Sequence, residues 1–198
     1  AHFELIPDHL PEKLKEAIVR FPAGTLQFEI GIQTFNVEVQ SRISRRQKND
    51  IAKENILWLG ESTGAHLHVD LIAGLPGESI ESFADGFDRL VALKPDEVQF
   101  GILKRLRGAP IARHTADFQL CFNPAPPYNI LSTDCISFPE MQQLSRFSRY
   151  WDMLANSGRY ALSMQLLLAD SPFWNFHHLT AWLYAKTRQT HAIAHERM

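Results

Sequence analysis

Two stretches with polar ends constrain the fold of this chain most strongly. The first is EIGIQTFNVEVQSRISR at residues 29–45, and the second, which begins 25 residues later, is DLIAGLPGES at residues 70–79. Each has the pattern of a buried strand that runs into a polar turn and then into a helix. A parallel α/β sheet presents its ligand-binding groups in this way, at the carboxyl ends of the strands. We therefore place a candidate site at that edge of the sheet.

The first half of the chain alternates predicted strands and helices. We expect strands at about residues 2–6, 26–32, 66–73 and 98–103, and helices at about residues 12–20, 49–63 and 79–93. Asn36 is expected to cap a short helical turn, and Asn49 or Asp50 the helix that follows. The strand at 26–32 is expected to be buried on both faces. This alternation predicts parallel strands joined by right-handed crossovers, as in half of a (β/α)8 barrel or most of an open sheet.

A change of composition follows the fourth predicted strand. Beyond Gly108-Ala109-Pro110 we expect a loop at residues 123–127 and helices at about residues 139–156, 157–169 and 172–187. The aromatic residues Phe147, Tyr150, Trp151 and Tyr160 are expected to form the core between this extension and the sheet region. The predicted organisation is a sheet region at residues 1–105 and a mainly helical extension at residues 106–198.

Charge and hydropathy exclude several classes of partner. The formal net charge is −2 and the pI is about 6.5, so no basic stripe predicts nucleic-acid binding. The sequence has neither an apolar run long enough to span a bilayer nor the blocks of a signal peptide, so we expect a cytoplasmic protein without a membrane partner. The chain begins without Met and directly with a predicted strand. We therefore expect a piece of a longer protein.

Cysteine and histidine spacing does not predict a metal site. The two cysteines, Cys121 and Cys135, are too few for a disulfide framework or a zinc site, and we expect reduced thiols. His191 and His195 are four residues apart, but the Glu of an HExxH motif is absent. No metal ligand and no catalytic residue is predicted within this chain.

Four polar residues lie at or just beyond the ends of three successive predicted strands. They are Glu4, Gln33, Arg45 and Asp70, which a parallel array would bring to one rim. Carboxylates accept hydrogen bonds from ribose hydroxyls or an amino group, and an Arg fork suits a carboxylate. This inventory fits a zwitterionic nucleoside better than a phosphate. The alternative, which the pattern alone leaves equally open, is that Glu4 and Asp70 cap turns and that the glycines of GLPG serve tight geometry.

Four motifs resemble those of the radical SAM enzymes, and they occur in the same order. GIQTFNVEVQSRISR resembles the fourth-strand region of the anaerobic coproporphyrinogen oxidase group, and HVDLIAGLPGES resembles the fifth-strand motif of the superfamily. PDEVQFGIL is similar to the sixth strand, and HFELIPDHL to the third strand with its Glu before a Pro. The resemblance covers residues 1 to about 105. It implies a partial parallel TIM-type barrel, about strands 3 to 6, followed by the α-helical extension.

The resemblance also implies a cofactor and roles for individual residues. Enzymes of this superfamily bind S-adenosylmethionine (SAM) beside a 4Fe-4S cluster and cleave it reductively to a 5′-deoxyadenosyl radical. By resemblance, Glu4, Gln33 and Asp70 would hold the ribose and amino group of SAM, and Arg45 would pair with its carboxylate. Ile72, Gly74 and the backbone near Lys104 would flank the adenine.

One part of the superfamily pattern is missing. The cluster needs three cysteines in a CxxxCxxC loop after the first strand, and this sequence has no such triad. Cys121 and Cys135 lie past the predicted sixth strand with a different spacing. We therefore expect the chain to be inactive alone, to hold none of these cofactors by itself, and to need the N-terminal part of its own protein as a partner.

The extension has a resemblance of its own. The segments PPYNILSTDCISFPEMQQLSRFSRYWDMLANSGRY and SPFWNFHHLTAWLYAKTRQTHAIAHERM are similar to an uncharacterised C-terminal domain in a group of cobalamin-binding radical SAM proteins. In that group a cobalamin-binding domain precedes the barrel. The resemblance thus implies cobalamin for the full-length protein, although no residue of this chain is assigned to it.

Two classes of function remain open at this stage. The first is a radical SAM enzyme that depends on cobalamin in its full length and acts on a small-molecule or unknown substrate. Within this class, a coproporphyrinogen oxidase-like decarboxylase is the second choice. The second is a non-catalytic binding or interaction module. In either case we expect the open half-barrel to leave an apolar inner face and strand edges uncovered. The C-terminal helices or a second copy of the chain, in a homodimer, would cover them.

Overall fold

The fold was described from a computed structural model, which defines residues 1–191 and 193. The first half alternates strands and helices, as the sequence predicts. The strands are β1 (His2–Leu5), β2 (Gln27–Gln33), β3 (His66–Ala73) and β4 (Glu97–Ile102). The helices are α1 (Glu12–Ile18), α2 (Val37–Arg42), α3 (Asn49–Ser62) and α4 (Ile80–Ala92).

The four strands form one sheet with the order β1-β2-β3-β4. The pairs β1–β2 and β2–β3 are parallel. Neighbours in the sheet are therefore neighbours in sequence, and the connection between paired parallel strands contains at least one helix. This arrangement confirms the predicted α/β class and is the repeat of a (β/α) barrel.

Contacts divide the chain into two compact units, which are described separately. The first unit comprises Ala1–Leu71 and Arg89–Gln99, and the second comprises Ile72–Asp88 and Phe100–Met198. The carboxyl-terminal residues of β3 and β4 thus belong to the second unit.

In the first unit, strand β2 has one apolar and one polar face. Phe28, Ile30 and Ile32 are buried, and the residues between them are only half-buried. Ile30 lines a small crevice together with Ile56 and Leu59, which are buried residues of α3. The predictions that this strand is buried on both faces and that the uncovered face is apolar are therefore wrong. Strand β3 has the same alternation, so the half-buried face of both strands is free to carry polar groups.

Side-chain hydrogen bonds explain where α2 begins but not where α3 begins. The side chain of Asn36 accepts hydrogen bonds from the backbone N–H groups of Glu38 and Val39 at 3.0 and 3.2 Å, which confirms the predicted cap of α2. The prediction for α3 is wrong, because its N-cap is Lys48 and no side chain caps it. Asn49 has other partners, which are described with the candidate site.

The second unit contains the helical extension and a small hairpin. Its further elements are a 3-10 helix (Pro110–His114), β5 (Cys121–Phe122), β6 (Ile130–Ser132), α5 (Phe138–Trp151), a π-helical turn (Asp152–Asn156), α6 (Ala161–Leu167) and α7 (Pro172–Thr187). The three predicted helical regions all contain helices. The antiparallel hairpin β5–β6 was not predicted, because strands of two and three residues carry no periodicity that a sequence pattern could show.

Aromatic rings form the core of the second unit. Phe87 of α4 lies 5.2 Å from Phe147, 4.8 Å from Trp151 and 5.8 Å from Phe173, measured between ring centroids. The rings that we call the aromatic core are those of Phe83, Phe87, Phe100, Phe147, Trp151, Phe173 and Phe176, all of them buried. Phe147, Tyr150 and Trp151 are buried as expected, whereas Tyr160 is only half-buried.

Among the described residues, no helix combines the length and the apolar character that crossing a membrane would require. His195, one of the two histidines considered for a metal, lies outside the described residues.

Candidate functional site

A polar pocket lies in the first unit, where side chains of β1, β2 and β3 meet. Its volume is about 420 Å³. It is lined by Glu4, Leu5, Ile6, Glu29, Gly31, Gln33, Arg45 and Asp70. The structure thus brings together the four polar residues that the sequence analysis places on one rim. What these residues bind stays a prediction.

The register of the strands explains how the pocket becomes polar. Glu4 lies opposite Glu29, and Glu29 lies opposite His68; two residues further along, Gly31 lies opposite Asp70. Every second side chain of a strand points to the same face of the sheet. Exposed Glu4 of β1 and the half-buried positions of β2 and β3 therefore place carboxylates and an imidazole in adjacent rows on one face.

A β-bulge determines the position of Gln33. The pairing of β2 with β3 shifts between Gly31 and Gln33, and Gln33 has a φ of +68°, which non-glycine residues rarely adopt. Its side chain covers the α carbon of Gly31, so that a Cβ added to Gly31 would collide with Nε2 of Gln33. Oε1 of Gln33 is buried and accepts no hydrogen bond from the described residues. Glycine at position 31 therefore makes room for an amide that retains an unused acceptor.

Arg45 enters the pocket from the loop after α2. Its Nη2 donates a hydrogen bond to the carbonyl oxygen of Gly31, and its Nε donates to Oε1 of Gln47 at 3.0 Å. Within the described part of the chain, no carboxylate lies within 4.0 Å of its guanidinium nitrogens. Burial lowers the pKa of Arg45, and the charge of Asp8 opposes this effect. Arginine remains protonated even when it is partly buried in a protein. The pocket therefore contains a cation that lacks a paired anion.

A hydrogen-bond network behind the pocket holds Arg45 in place. Oδ1 of Asn49 accepts from Nε2 of Gln40 at 2.8 Å and from Nε2 of Gln47 at 3.0 Å. Nδ2 of Asn49 donates to the carbonyl of Phe35 at 2.8 Å. Gln40 is only 2% exposed. Asn49 therefore fixes the glutamine that orients Arg45, and its side chain is not available to cap α3.

Asp70 is an unusual carboxylate because its surroundings disfavour its charge. Its side chain is 17% exposed, and Oδ1 is buried without a hydrogen-bond partner among the described residues. Nε2 of His68 lies 3.8 Å from this oxygen and carries a charge only when the ring is protonated. The pKa of Asp70 is raised to about 6, chiefly by burial; the charges of Glu29 and Glu4 also raise it, whereas His68 lowers it. A ligand that donates a hydrogen bond to Asp70 would remove part of this cost.

Three residues of the pocket region were not among the predicted site residues. Glu29 lines the pocket, and its Oε2 lies 3.0 Å from Nε2 of His2. His68 adjoins Asp70, and Gly31 lies beneath Gln33. The alternation of half-buried residues at 29, 31 and 33 and at 68 and 70 is the signal that could have found them.

The other predicted cofactor residues lie in the second unit, and none of them lines the polar pocket. Ile72 is half-buried near the end of β3. Gly74 has a φ of +89°, and a Cβ at this position would lie 2.6 Å from Cγ2 of Ile130, so both backbone and packing require glycine. Lys104 is exposed and forms an isolated antiparallel bridge with Asn129.

A known family matches the second part of the chain. Residues 116–198 match the family described as protein of unknown function DUF4080. This match confirms that the extension resembles an uncharacterised domain.

The sequence relatives are oxygen-independent coproporphyrinogen III oxidases. The enzyme of Paracoccus denitrificans is 30% identical over 95 residues, which is 48% of this chain and 21% of the relative. That of Cereibacter sphaeroides is 27% identical over 154 residues, which is 73% of this chain and 34% of the relative. The chain thus spans about a third or less of the length of these curated relatives.

A solved structure extends the comparison over nearly the whole chain. The radical S-adenosylmethionine methyltransferase TsrM of Kitasatospora setae, with cobalamin and a [4Fe-4S] cluster bound, matches 94% of this chain and 44% of its own with a TM-score of 0.53 at 15% identity. In sequence the chain is similar to coproporphyrinogen III oxidases, and in fold it is similar to this methyltransferase. At this identity the likeness to TsrM shows the fold, and it confirms the partial radical SAM barrel that the sequence motifs predict.

The thiols of this chain do not provide a cluster site. Cys121 and Cys135 are both exposed, and neither forms a disulfide bond within the described residues. Three thiolates are needed to hold a 4Fe-4S cluster with one open iron, and the whole sequence contains only two cysteines. In the described part of the chain, no group of three His, Cys, Asp or Glu residues could hold a metal ion.

Proposed function

We propose that this chain contributes the SAM-positioning part of a radical SAM enzyme. In this proposal the guanidinium of Arg45 pairs with the carboxylate of SAM, and Glu4, Gln33 and Asp70 accept hydrogen bonds from its amino group and ribose hydroxyls. The observation that carries the proposal is the combination, in one pocket, of a half-buried cation without a carboxylate partner and two buried acceptors without donors.

The donor set of the pocket fits this ligand. A zwitterionic nucleoside presents one carboxylate, one ammonium group and two ribose hydroxyls. The pocket offers one guanidinium against two carboxylates, Glu4 and Asp70, and the amide of Gln33. Glu29, which is paired with His2, adds a further acceptor at the wall. A phosphate would fit poorly, because three carboxylates line the pocket.

The adenine contacts are a separate part of the proposal. Ile72, Gly74 and the backbone near Lys104 are assigned to the adenine by resemblance alone. Gly74 is also required by its own packing against Ile130, so substitution at this position would not isolate a role in binding.

The residues of this chain do not fit an iron-sulfur cluster, and we derive no step through one. In enzymes of this superfamily the cluster supplies the electron that cleaves SAM. We propose that the chain is a piece of a longer protein whose other part holds the cluster, and that it is inactive by itself. The role left to its own residues is to bind and orient SAM.

Cobalamin is a proposal for the full-length protein only. Its support is the resemblance of the extension to the domain found in cobalamin-binding radical SAM proteins, together with the fold shared with TsrM. Absorption spectroscopy of the full-length protein, purified from cobalamin-supplemented cells, tests this point. A protein that carries no corrinoid absorbance after supplementation would remove cobalamin from the proposal.

The test of SAM positioning uses the complete reading frame, reconstituted anaerobically with iron and sulfide. SAM affinity is measured for the parent and for Arg45→Gln, with Arg46→Gln, an exposed neighbour that also loses one positive charge, as the matched control. Loss of a hydrogen-bonded ion pair weakens binding by about 1.5–3 kcal/mol, so we expect a decrease of about tenfold to a hundredfold for Arg45→Gln. Equal affinities in the two variants would contradict the assignment.

The activity is tested on the same preparation. With dithionite and SAM, formation of 5′-deoxyadenosine is followed by mass spectrometry, and variants of the cluster cysteines serve as negative controls. No 5′-deoxyadenosine from a protein with an intact cluster would favour the non-catalytic binding module.

A coproporphyrinogen oxidase-like activity is the second candidate. It is favoured by the sequence similarity to the oxidases of Paracoccus denitrificans and Cereibacter sphaeroides. The DUF4080 match of the extension favours a different substrate. Anaerobic incubation of the full-length protein with coproporphyrinogen III distinguishes the two, because only an oxidative decarboxylase would consume it.

A further inference from the structure

A short basic segment follows β4 in the second unit. The sequence KRLRGAPIARH at residues 104–114 contains five Lys, Arg or His residues and no acidic residue. The next sixteen residues after Asp117, at 118–133, contain no acidic residue either. Two loops without a carboxylate therefore follow each other in a chain whose overall charge is negative.

These two loops enclose a pocket of about 500 Å³, which we call the basic pocket. One wall is the loop with Arg105, Arg107 and Gly108, and the other contains Pro124 and Tyr128. The backbone N–H of Arg105 donates to the carbonyl of Tyr128 at 3.0 Å, so the walls are joined by a hydrogen bond. The basic pocket thus has a defined shape, within the size range of small-molecule sites.

The two arginines of the basic pocket have charges that the protein does not neutralise. In the part of the chain that the structure describes, neither Arg105 nor Arg107 forms an ion pair. Arg105 lies over the ring of Phe122, 5.2 Å from its centroid, and this contact orients the guanidinium without using its hydrogen-bond donors. Two cations at the mouth of one pocket repel each other unless an anion lies between them.

The remaining lining of the basic pocket is apolar. Leu106 is 60% exposed and Tyr128 is 39% exposed, so both present accessible apolar surface beside the charged side chains. Ala109 and Pro124 complete this surface. Gly108 has a φ of +79°, and a Cβ added to it would meet no atom within 4 Å. The space beside Gly108 in the pocket is therefore unoccupied by other protein atoms.

We propose that the basic pocket binds a small organic anion, in which a carboxylate or phosphate group is attached to an apolar or planar body. Arg105 and Arg107 bind the anionic group through their N–H donors, as arginine does with both carboxylate and phosphate. The ring of Tyr128 and the side chain of Leu106 contact the body of the ligand. The site is independent of the polar pocket, whose carboxylates suit a ligand that carries a positive charge.

The test uses the 198-residue chain and two probes, phenylphosphate and benzoate. Binding is followed by the NMR shifts of the arginine Nε–Hε groups at 150 mM NaCl, where weak non-specific attraction is screened. We expect saturable shifts of Arg105 and Arg107 with at least one probe, and the probe with the lower Kd assigns the anionic group as phosphate or carboxylate. Benzamide, a neutral analogue, is expected to bind at least tenfold more weakly than the better anion.

Matched variants locate the binding in the basic pocket. Arg107→Gln is expected to weaken the better probe about tenfold or more, because a charge-assisted hydrogen bond is lost. Arg113→Gln removes the same charge from the same segment but outside the pocket lining, and is expected to leave the Kd unchanged. Absence of saturation with both probes, or equal weakening in the two variants, would overturn the proposal. SAM and an iron-sulfur cluster take no part in this measurement, so its outcome does not depend on the proposed function.

Discussion

The polar pocket of the first unit and the aromatic core of the second unit use buried side chains in opposite ways. In the aromatic core, rings such as Phe87 and Phe147 contact other rings on several sides and are not exposed at all. In the polar pocket, Asp70 and Gln33 retain buried acceptor atoms without partners. The core is packed by ring contacts without a ligand, although Nε1 of Trp151 is buried there without a hydrogen-bond partner among the described residues. The pocket carries unpaired groups whose cost a ligand can remove.

This difference predicts that substitutions in the two regions change the free energy of unfolding in opposite directions. Removal of a side chain from the aromatic core leaves a cavity and destabilises the chain. Removal of a charge from the polar pocket relieves a cost and stabilises the free chain, at the expense of binding.

The largest effect is expected in the aromatic core. Phe87→Ala removes a ring that is 0% exposed, and we expect it to lower the free energy of unfolding by about 3–5 kcal/mol. Phe138→Ala, at a ring that is 52% exposed, is the matched control and is expected to change it by less than about 1 kcal/mol. Urea denaturation of the 198-residue chain measures both, and similar losses in the two variants would show that Phe87 does not belong to a close-packed core.

A smaller, pH-dependent effect is expected in the polar pocket. The pKa of Asp70 is about 6 in the folded chain and about 3.8 in the unfolded reference, so the folded chain binds the proton more tightly. The contribution of protonated Asp70 to the stability of the folded chain is fully present below pH 4. It is lost as the pH rises towards 6 and beyond. The amide of the Asp70→Asn variant does not ionise, so the variant keeps this stability as the pH rises. The variant is therefore expected to be more stable than the parent above pH 6, by about 1–2 kcal/mol, with no difference below pH 4.

Thermal or urea denaturation between pH 4 and pH 8 measures this stability difference. Asp50→Asn is the control, because the Asp50 side chain is 94% exposed. A parent and an Asp70→Asn variant that differ equally at all pH values would rule out the titration of Asp70 as the cause. In the full-length protein, the same substitution is expected to weaken SAM binding.

The smallest change in stability is expected at Gly31. A Cβ at this position meets the flexible end of the Gln33 side chain, which can move, so we expect Gly31→Ala to change the free energy of unfolding by less than about 1 kcal/mol. The displaced amide can no longer keep its place in the pocket, and SAM affinity of the full-length protein is expected to fall several-fold. Gly60→Ala, where a Cβ would have an ordinary contact of 3.8 Å with Leu67, is the control. Unchanged SAM affinity in the Gly31→Ala variant would show that Gln33 does not contribute to SAM binding.

The sequence predicted the parts of the fold that depend on local patterns. The order of strands and helices follows from apolar runs and turn residues, and the cap at Asn36 follows from one short polar side chain before a helix. The convergence of Glu4, Gln33, Arg45 and Asp70 follows from the parallel arrangement of the strands. In these cases a rule that refers to neighbouring residues is sufficient.

The features that were missed have separate causes. Asn49 has the chemistry of a cap, but Gln40 and Gln47 compete for its side chain, and only the folded loop shows this. The polar face of β2 was overlooked because the apolar residues between its polar positions dominate the composition. The basic pocket was missed because its two walls, at residues 105–112 and 124–128, come from separate loops that only the folded chain brings together.

The alternation of β2 has a consequence for how this protein can change. Residues 28, 30 and 32 serve the core, whereas residues 29, 31 and 33 serve the pocket, and no position serves both. Ligand preference can therefore drift through one set while the other set preserves folding. A combinatorial library restricted to positions 29, 31, 33, 68 and 70 would explore new ligands with few unfolded members, which makes this sheet a suitable starting scaffold for directed evolution.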